Sequence, residues 1–213
     1  MQIYTISYQQ HNALLFFNYL NSAKPLPDCC TYMRRMLLIV DPQTDFITGT
    51  LAVDGAREAM DSLAGYIMAN DGKYCVKAVT ADCHPANHIS FIENGGKWHA
   101  HCIDGTTGAS IWRPVMSALH ATSGETVLLK KGTRSDREEY SIFKNEYAAR
   151  TIKDIVRRHD IEVIDLCGIA GDVCVLDTLK DGRKIFGRDM LNVLTRYSPS
   201  IDGGAALAEA INS

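Results

Sequence analysis

Several large functional classes are closed to this sequence by what it lacks. Its seven cysteines, at positions 29, 30, 75, 83, 102, 167 and 174, form no CxxC pair. An odd number without such spacing argues against a disulfide framework and fits a reducing compartment. Basic residues are not in excess: 22 Lys and Arg face 25 Asp and Glu, a net charge of -3, without the positive footprint of a nucleic-acid binder. No apolar run approaches the ~18–20 residues of a membrane span. The opening MQIYTISYQQHNALLFFNYL lacks a basic start, and its apolar stretch at 13–17 is short, so no secretory leader is read there and a cytoplasmic location is expected. Internal repeats, low-complexity tracts and Pro/Gly-rich linkers are missing from 36–213. What remains is a chain of 213 residues, 46% hydrophobic, enough for one domain with a full core.

Residues 1–33 show no period and end in a loop-like stretch with two prolines at 24–30. They read as an N-terminal extension, or as residues upstream of a natural start at Met33 or Met36, with 34–213 as the single domain. From Met36 the pattern is regular. Apolar runs at 36–40, 76–80, 126–129, 161–166 and 190–194 read as strands, the first stopping abruptly at Asp41 as a buried parallel strand would. Segments 56–69, 146–159, 172–181 and 204–211 read as helices, with Asp54 as a candidate cap for the first. A long loop rich in Gly, His and Asn spans 81–107. Strands alternating with helices imply an α/β fold, with a parallel sheet covered on both faces.

In such a sheet, ligands bind beyond the carboxyl ends of the strands. Asp41, Asp82, His84 and Lys131 fall at such ends, and Cys174 follows the turn GIAG at the start of a helix. A helix N-terminus lowers a thiol pKa, and the backbone N–H groups of GIAGDVC can hold an oxyanion, so Cys174 is the candidate nucleophile. The other cysteines keep a structural reading. Asp41 is placed to take the thiol proton, and a lysine can balance the charges. Lys130 and Lys131 should point to opposite faces, so only one can serve. Asp82 and His84, two apart, should project to one side, with His88, His99 and His101 following in the loop. This is a donor set suited to Zn²⁺, Mn²⁺ or Fe²⁺.

Five segments, in order, carry a family resemblance: DPQTDF at 41–46, DCHPANHISF at 82–91, KWHAHC at 97–102, KGTRSDREEYSIF at 131–143 and GIAGDVCV at 168–175. Together they resemble the isochorismatase-like cysteine hydrolases, and among these the nicotinamidases. The resemblance implies a three-layer α/β/α sandwich with a mostly parallel, Rossmann-like sheet. It implies Asp41 as general base, Lys131 as cation and Cys174 as nucleophile, with the N–H groups of Ala170 and Cys174 as oxyanion hole. One divalent transition metal on Asp82, His84 and His101 is implied, with His88 a ligand in some relatives. It further implies a cis peptide at 169–170, Phe46 and Trp98 against a substrate ring, and a homo-oligomer. The implied reaction is hydrolysis of a small amide, nicotinamide to nicotinate and ammonia, through a Cys thioester in NAD salvage. An amidase for ureido or carbamoyl compounds is the alternative, and a non-catalytic binding protein or a redox thiol protein ranks below it. Cys83 stands where Trp is usual and His99 where proline is usual; residues 1–33 have no counterpart.

Overall fold

The apolar runs become five strands of one parallel sheet. They are β1 (Arg35–Val40), β2 (Val76–Asp82), β3 (Glu125–Lys131), β4 (Val163–Gly168) and β5 (Leu191–Val193), in spatial order β3-β2-β1-β4-β5. The computed structural model describes residues 33–213, and the expected extension at 1–33 lies outside them except for Met33. The central strand β1 pairs with β2 on one side and β4 on the other.

Side-chain alternation along β1 divides the core. Leu37 and Ile39 pack beneath α2 (Ala56–Ala69) and α3 (Arg113–Ala121). Met36, Leu38 and Val40 pack on the other face, beneath α4 (Glu146–Arg158), α5 (Leu176–Phe186) and α6 (Ala205–Asn212). Helices on both faces of a parallel sheet make the expected three-layer α/β/α sandwich. A short helix, α1 (Thr44–Ile47), follows β1 directly. No helix among the described residues is long and apolar enough to cross a membrane.

Three local expectations change. Asp54 does not cap α2: Gly55 occupies that position with φ 73°, a left-handed backbone that an Asp-Gly turn favours, and no side chain caps the helix. The segment read as a helix over 172–181 is two pieces, a wide π turn at Gly171–Val175 that continues into α5. Helix α3 was not read from the sequence; it opens with Pro in its first turn and buries Val115, Ala118 and Leu119.

The strand order fixes where a ligand can sit. The chain builds outward from β1 through β2 to β3, then returns to add β4 and β5 on the opposite side. The order therefore reverses between β1 and β4, and the crevice at their carboxyl ends is where this architecture opens to ligands. Asp41 follows β1, and Cys174 follows β4.

Candidate active site

Asp41, Lys131 and Cys174 converge in this crevice. Asp41 is fully buried, with φ 47°, a strained backbone for a residue other than glycine. Its conformation is secured by Thr80, whose hydroxyl donates to Asp41 Oδ1 at 2.6 Å while the Asp41 N–H reaches the Thr80 carbonyl at 3.2 Å. Lys131 Nζ lies 2.9 Å from Asp41 Oδ2, 2.6 Å from Asp82 Oδ1 and 3.6 Å from Cys174 Sγ. Lys131 is buried and Lys130 exposed, as alternation along β3 requires. Cys174 sits in the π turn, after a cis Ile169–Ala170 peptide. Among the described residues the Ala170 N–H has no hydrogen-bond partner.

Electrostatics at the thiol differ from the expectation of a lowered pKa. Burial pushes the Cys174 thiol well above its ordinary value; Lys131 opposes this, while Asp41 and Asp82 add to it. Burial likewise raises Asp41, again against the pull of Lys131 and with repulsion from Asp82. The turn's partial positive charge is outweighed because the sulfur is dry and faces two carboxylates.

Asp82, His84 and His101 offer ligand atoms that all lie within 4.8 Å of one another, and all three residues are buried. Burial disfavours the charged form of Asp82, yet Lys131 and the contact with His84 hold its carboxyl below the ordinary range. His84 Nδ1 is bonded to the Gly132 carbonyl at 2.9 Å, and His101 Nδ1 to the His99 carbonyl at 2.8 Å. In both rings Nε2 is thus left for a metal, the usual orienting arrangement for a histidine ligand. One carboxylate and two oriented imidazoles fit a divalent transition metal with open positions. His88 does not join them. Its Nδ1 is bonded to Ser90 Oγ at 2.6 Å and its Nε2 to the Arg137 carbonyl at 2.9 Å, and its ring stacks on His84 at 4.0 Å. The His99 side chain is exposed, so only its backbone contributes. Cys83 points away from the cluster, its thiol 3.0 Å from Asp104 Oδ1.

Other residues, given no role from the sequence, hold this arrangement. Gln43 clamps the end of β2: its Oε1 accepts from the Asp82 N–H at 2.7 Å and its Nε2 donates to the Asp82 carbonyl at 2.8 Å. Asp45 Oδ2 accepts from the Cys102 N–H at 2.7 Å, which fixes the loop segment carrying His101. A Cβ at Gly132 would collide with the His84 ring, so the chain passes the ligand only as glycine. Gln43 and Asp45 stand inside DPQTDF and Gly132 inside the KG pair, so the motifs were the signal, although nothing in the residue types told their tasks.

A cavity of ≈ 260 Å³ opens between the two clusters. Cys174, Asp82 and His101 form its floor side; Phe46 and Trp98, expected there, line its walls with Tyr140 and Glu138. Trp98 Nε1 donates to the Tyr140 hydroxyl at 2.9 Å, and the Phe46 and His101 rings lie 5.5 Å apart.

Comparison with known proteins places this geometry among relatives. A model of the isochorismatase domain matches residues 35–185. The nicotinamidase/pyrazinamidase of Mycobacterium tuberculosis is 31% identical over 152 residues, 69% of this chain and 77% of its own. The pyrazinamidase of Pyrococcus horikoshii, solved in complex with zinc, is similar with a TM-score of 0.68 at 28% identity, covering 84% of this chain and 95% of that one. PnC1 of L. infantum, solved in complex with nicotinate, gives a TM-score of 0.69 at 25% identity, covering 84% and 89%.

Proposed function

The chain belongs to the isochorismatase family and is a hydrolase of amide C–N bonds, and on that premise we propose that it converts nicotinamide to nicotinate and ammonia through a thioester on Cys174. One observation carries the choice of substrate. The metal-type cluster of Asp82 and His101 faces the same small, aromatic-walled cavity as the Cys174 thiol. A flat ring with a donor nitrogen and a carboxamide has the features that such a cavity reads.

Asp41 takes the thiol proton as sulfur attacks the amide carbon. The C–S bond forms, and the oxyanion rests on the N–H groups of Ala170 and Cys174. Lys131, 3.6 Å from the sulfur, stabilises the negative charge on the thiolate and on Asp41. Asp41 then returns its proton to the leaving nitrogen, and ammonia departs as the C–N bond breaks. Water attacks the thioester and gives one proton to Asp41, the C–S bond breaks, the Asp41 proton returns to the sulfur, and the acid leaves as nicotinate, its remaining proton passing to the released ammonia. A divalent transition metal (Zn, Mn or Fe) on Asp82, His84 and His101 would supply Lewis acidity and an open position for the ring nitrogen. Burial raises both Asp41 and Cys174 from their ordinary values, which favours the protonated form of each and so supports a proton passing between them. The reaction would return the pyridine ring to NAD synthesis.

The test is an ammonia-release panel with nicotinamide, pyrazinamide, a ureido acid and biuret. Nicotinamide should have the highest kcat/KM of the naturally occurring amides. A ureido compound or biuret ahead of it by about tenfold or more contradicts the reading.

A further inference from the structure

Glu138 lines the cavity and has no part in the chemistry above. It is half-buried, in the segment between β3 and α4, and one of its oxygens accepts from the Glu139 N–H at 3.1 Å. No Lys or Arg lines this cavity among the described residues. The buried cation, Lys131, is already engaged by Asp41, Asp82 and the Cys174 sulfur. Two buried carboxylates, Asp41 and Asp82, already take up this ammonium, and Glu138 adds a third carboxyl group that faces the cavity. A cavity of ≈ 260 Å³ is so small that none of its walls lies much beyond a Debye length of ~8 Å from an occupant. Burial and Asp82 raise the Glu138 carboxyl from its ordinary value, with His84 and Lys131 opposing; its ionised form is felt by any anion inside, and a carboxylate without a cationic partner is poorly held.

We propose that Glu138 is a specificity-determining residue that makes the cavity a charge filter. Its carboxylate excludes amides bearing a carboxylate and weakens retention of the carboxylate product, so the site takes neutral amides. This rests on the nicotinamidase reading for the identity of the product, but the filter itself is a binding property and is tested without turnover.

The experiment uses the full-length, metal-loaded protein and its Glu138→Gln and Glu138→Asp variants. Calorimetry measures the Kd of nicotinate and of 3-acetylpyridine, a neutral ring of similar shape, and metal content is determined in parallel. Glu138→Gln should tighten nicotinate relative to 3-acetylpyridine by about tenfold, the scale of one charge acting at this range. Glu138→Asp, which keeps the charge, should leave the ratio near that of the parent. In kinetic assays Glu138→Gln should raise kcat/KM for N-carbamoylglycine relative to nicotinamide. An unchanged ratio, equal effects of Gln and Asp, or loss of metal in Glu138→Gln would each overturn the proposal. Failure of the parent enzyme to hydrolyse nicotinamide would instead count against the proposed reaction, and the nicotinate ratio would still decide the filter.

Discussion

Two clusters that each join a lysine and a cysteine to aspartate stand at the carboxyl end of this sheet, built partly from adjacent residues. Lys130 and Cys83 meet Asp104, whereas Lys131, next in the chain, meets Asp41 and Cys174. The first lysine and aspartate are 56% and 66% exposed; the second pair are 1% and 0% exposed. Exposed pairs contribute about 0–1 kcal/mol because water screens them. In the buried cluster, losing one partner strands a charge at a cost of about 3–5 kcal/mol. Residue type alone therefore does not make a reactive centre. The pleat of β3 sends one lysine to solvent and its neighbour into a dry crevice, and only there do proton and charge stay coupled.

The largest effect should separate the two thiols. Cys174→Ala should lower kcat by at least ~10³, because no thioester can form. Cys83→Ala should retain activity within about threefold, as its thiol points away from the cavity. Equal losses in the two variants would dissolve the distinction.

The lysines provide the next contrast. Lys131→Met should reduce kcat by ~10²–10³ and destabilise the fold by about 3–5 kcal/mol in urea titrations, since Asp41 and Asp82 would lose their counter-charge. Lys130→Met should shift stability by no more than about 0.5 kcal/mol. The reverse pattern would show that the cation is misassigned.

Much of this organisation was legible beforehand, for identifiable reasons. Runs such as MLLIV read as buried strands, and their ends mark Asp41, Asp82 and Lys131 because a charged residue stops an apolar run there. The helix expected over 56–69 has those bounds in the structure. Helix α3 was missed because its buried face is short, Val115, Ala118 and Leu119, and it follows a long irregular loop. Gln43 and Asp45 carried no recognisable chemistry, since their task is to hold backbone N–H groups of distant segments, a tertiary relation that local pattern does not encode. The thiol was expected at a lowered pKa from its turn alone; burial beside two carboxylates reversed the sign.

A metal measurement sharpens the contrast within the 99–101 segment. Purified protein should hold about one divalent transition metal per chain. His101→Ala should release it, whereas His99→Ala should not, because only the His99 carbonyl touches the site. Full occupancy in His101→Ala, or full activity after complete chelation, would remove this ion from the account.

The smallest effect concerns pH and stability. The folded-state pKa of Cys174 is raised well above the ordinary thiol value, that of Cys83 is raised by its partial burial, and the unfolded thiols titrate near 8.5. A raised folded pKa gives stability that is complete below the unfolded value and lost as pH climbs through the folded one. Between pH 7 and pH 10 the protein should therefore lose stability, by up to ~1.4 kcal/mol per pH unit for each such thiol above 8.5. Cys174→Ala should flatten this loss more than Cys83→Ala, as read from urea midpoints across the range.

The most direct test of the account is to trap the acyl group. Rapid acid quench of the enzyme during nicotinamide turnover, followed by peptide mass spectrometry, should find one nicotinoyl group on the peptide containing Cys174. It should persist in Cys83→Ala and vanish in Cys174→Ala. A nicotinoyl adduct on Cys83, or release of nicotinate by Cys174→Ala at the parent rate, would contradict the assignment of the buried cluster as the reacting centre.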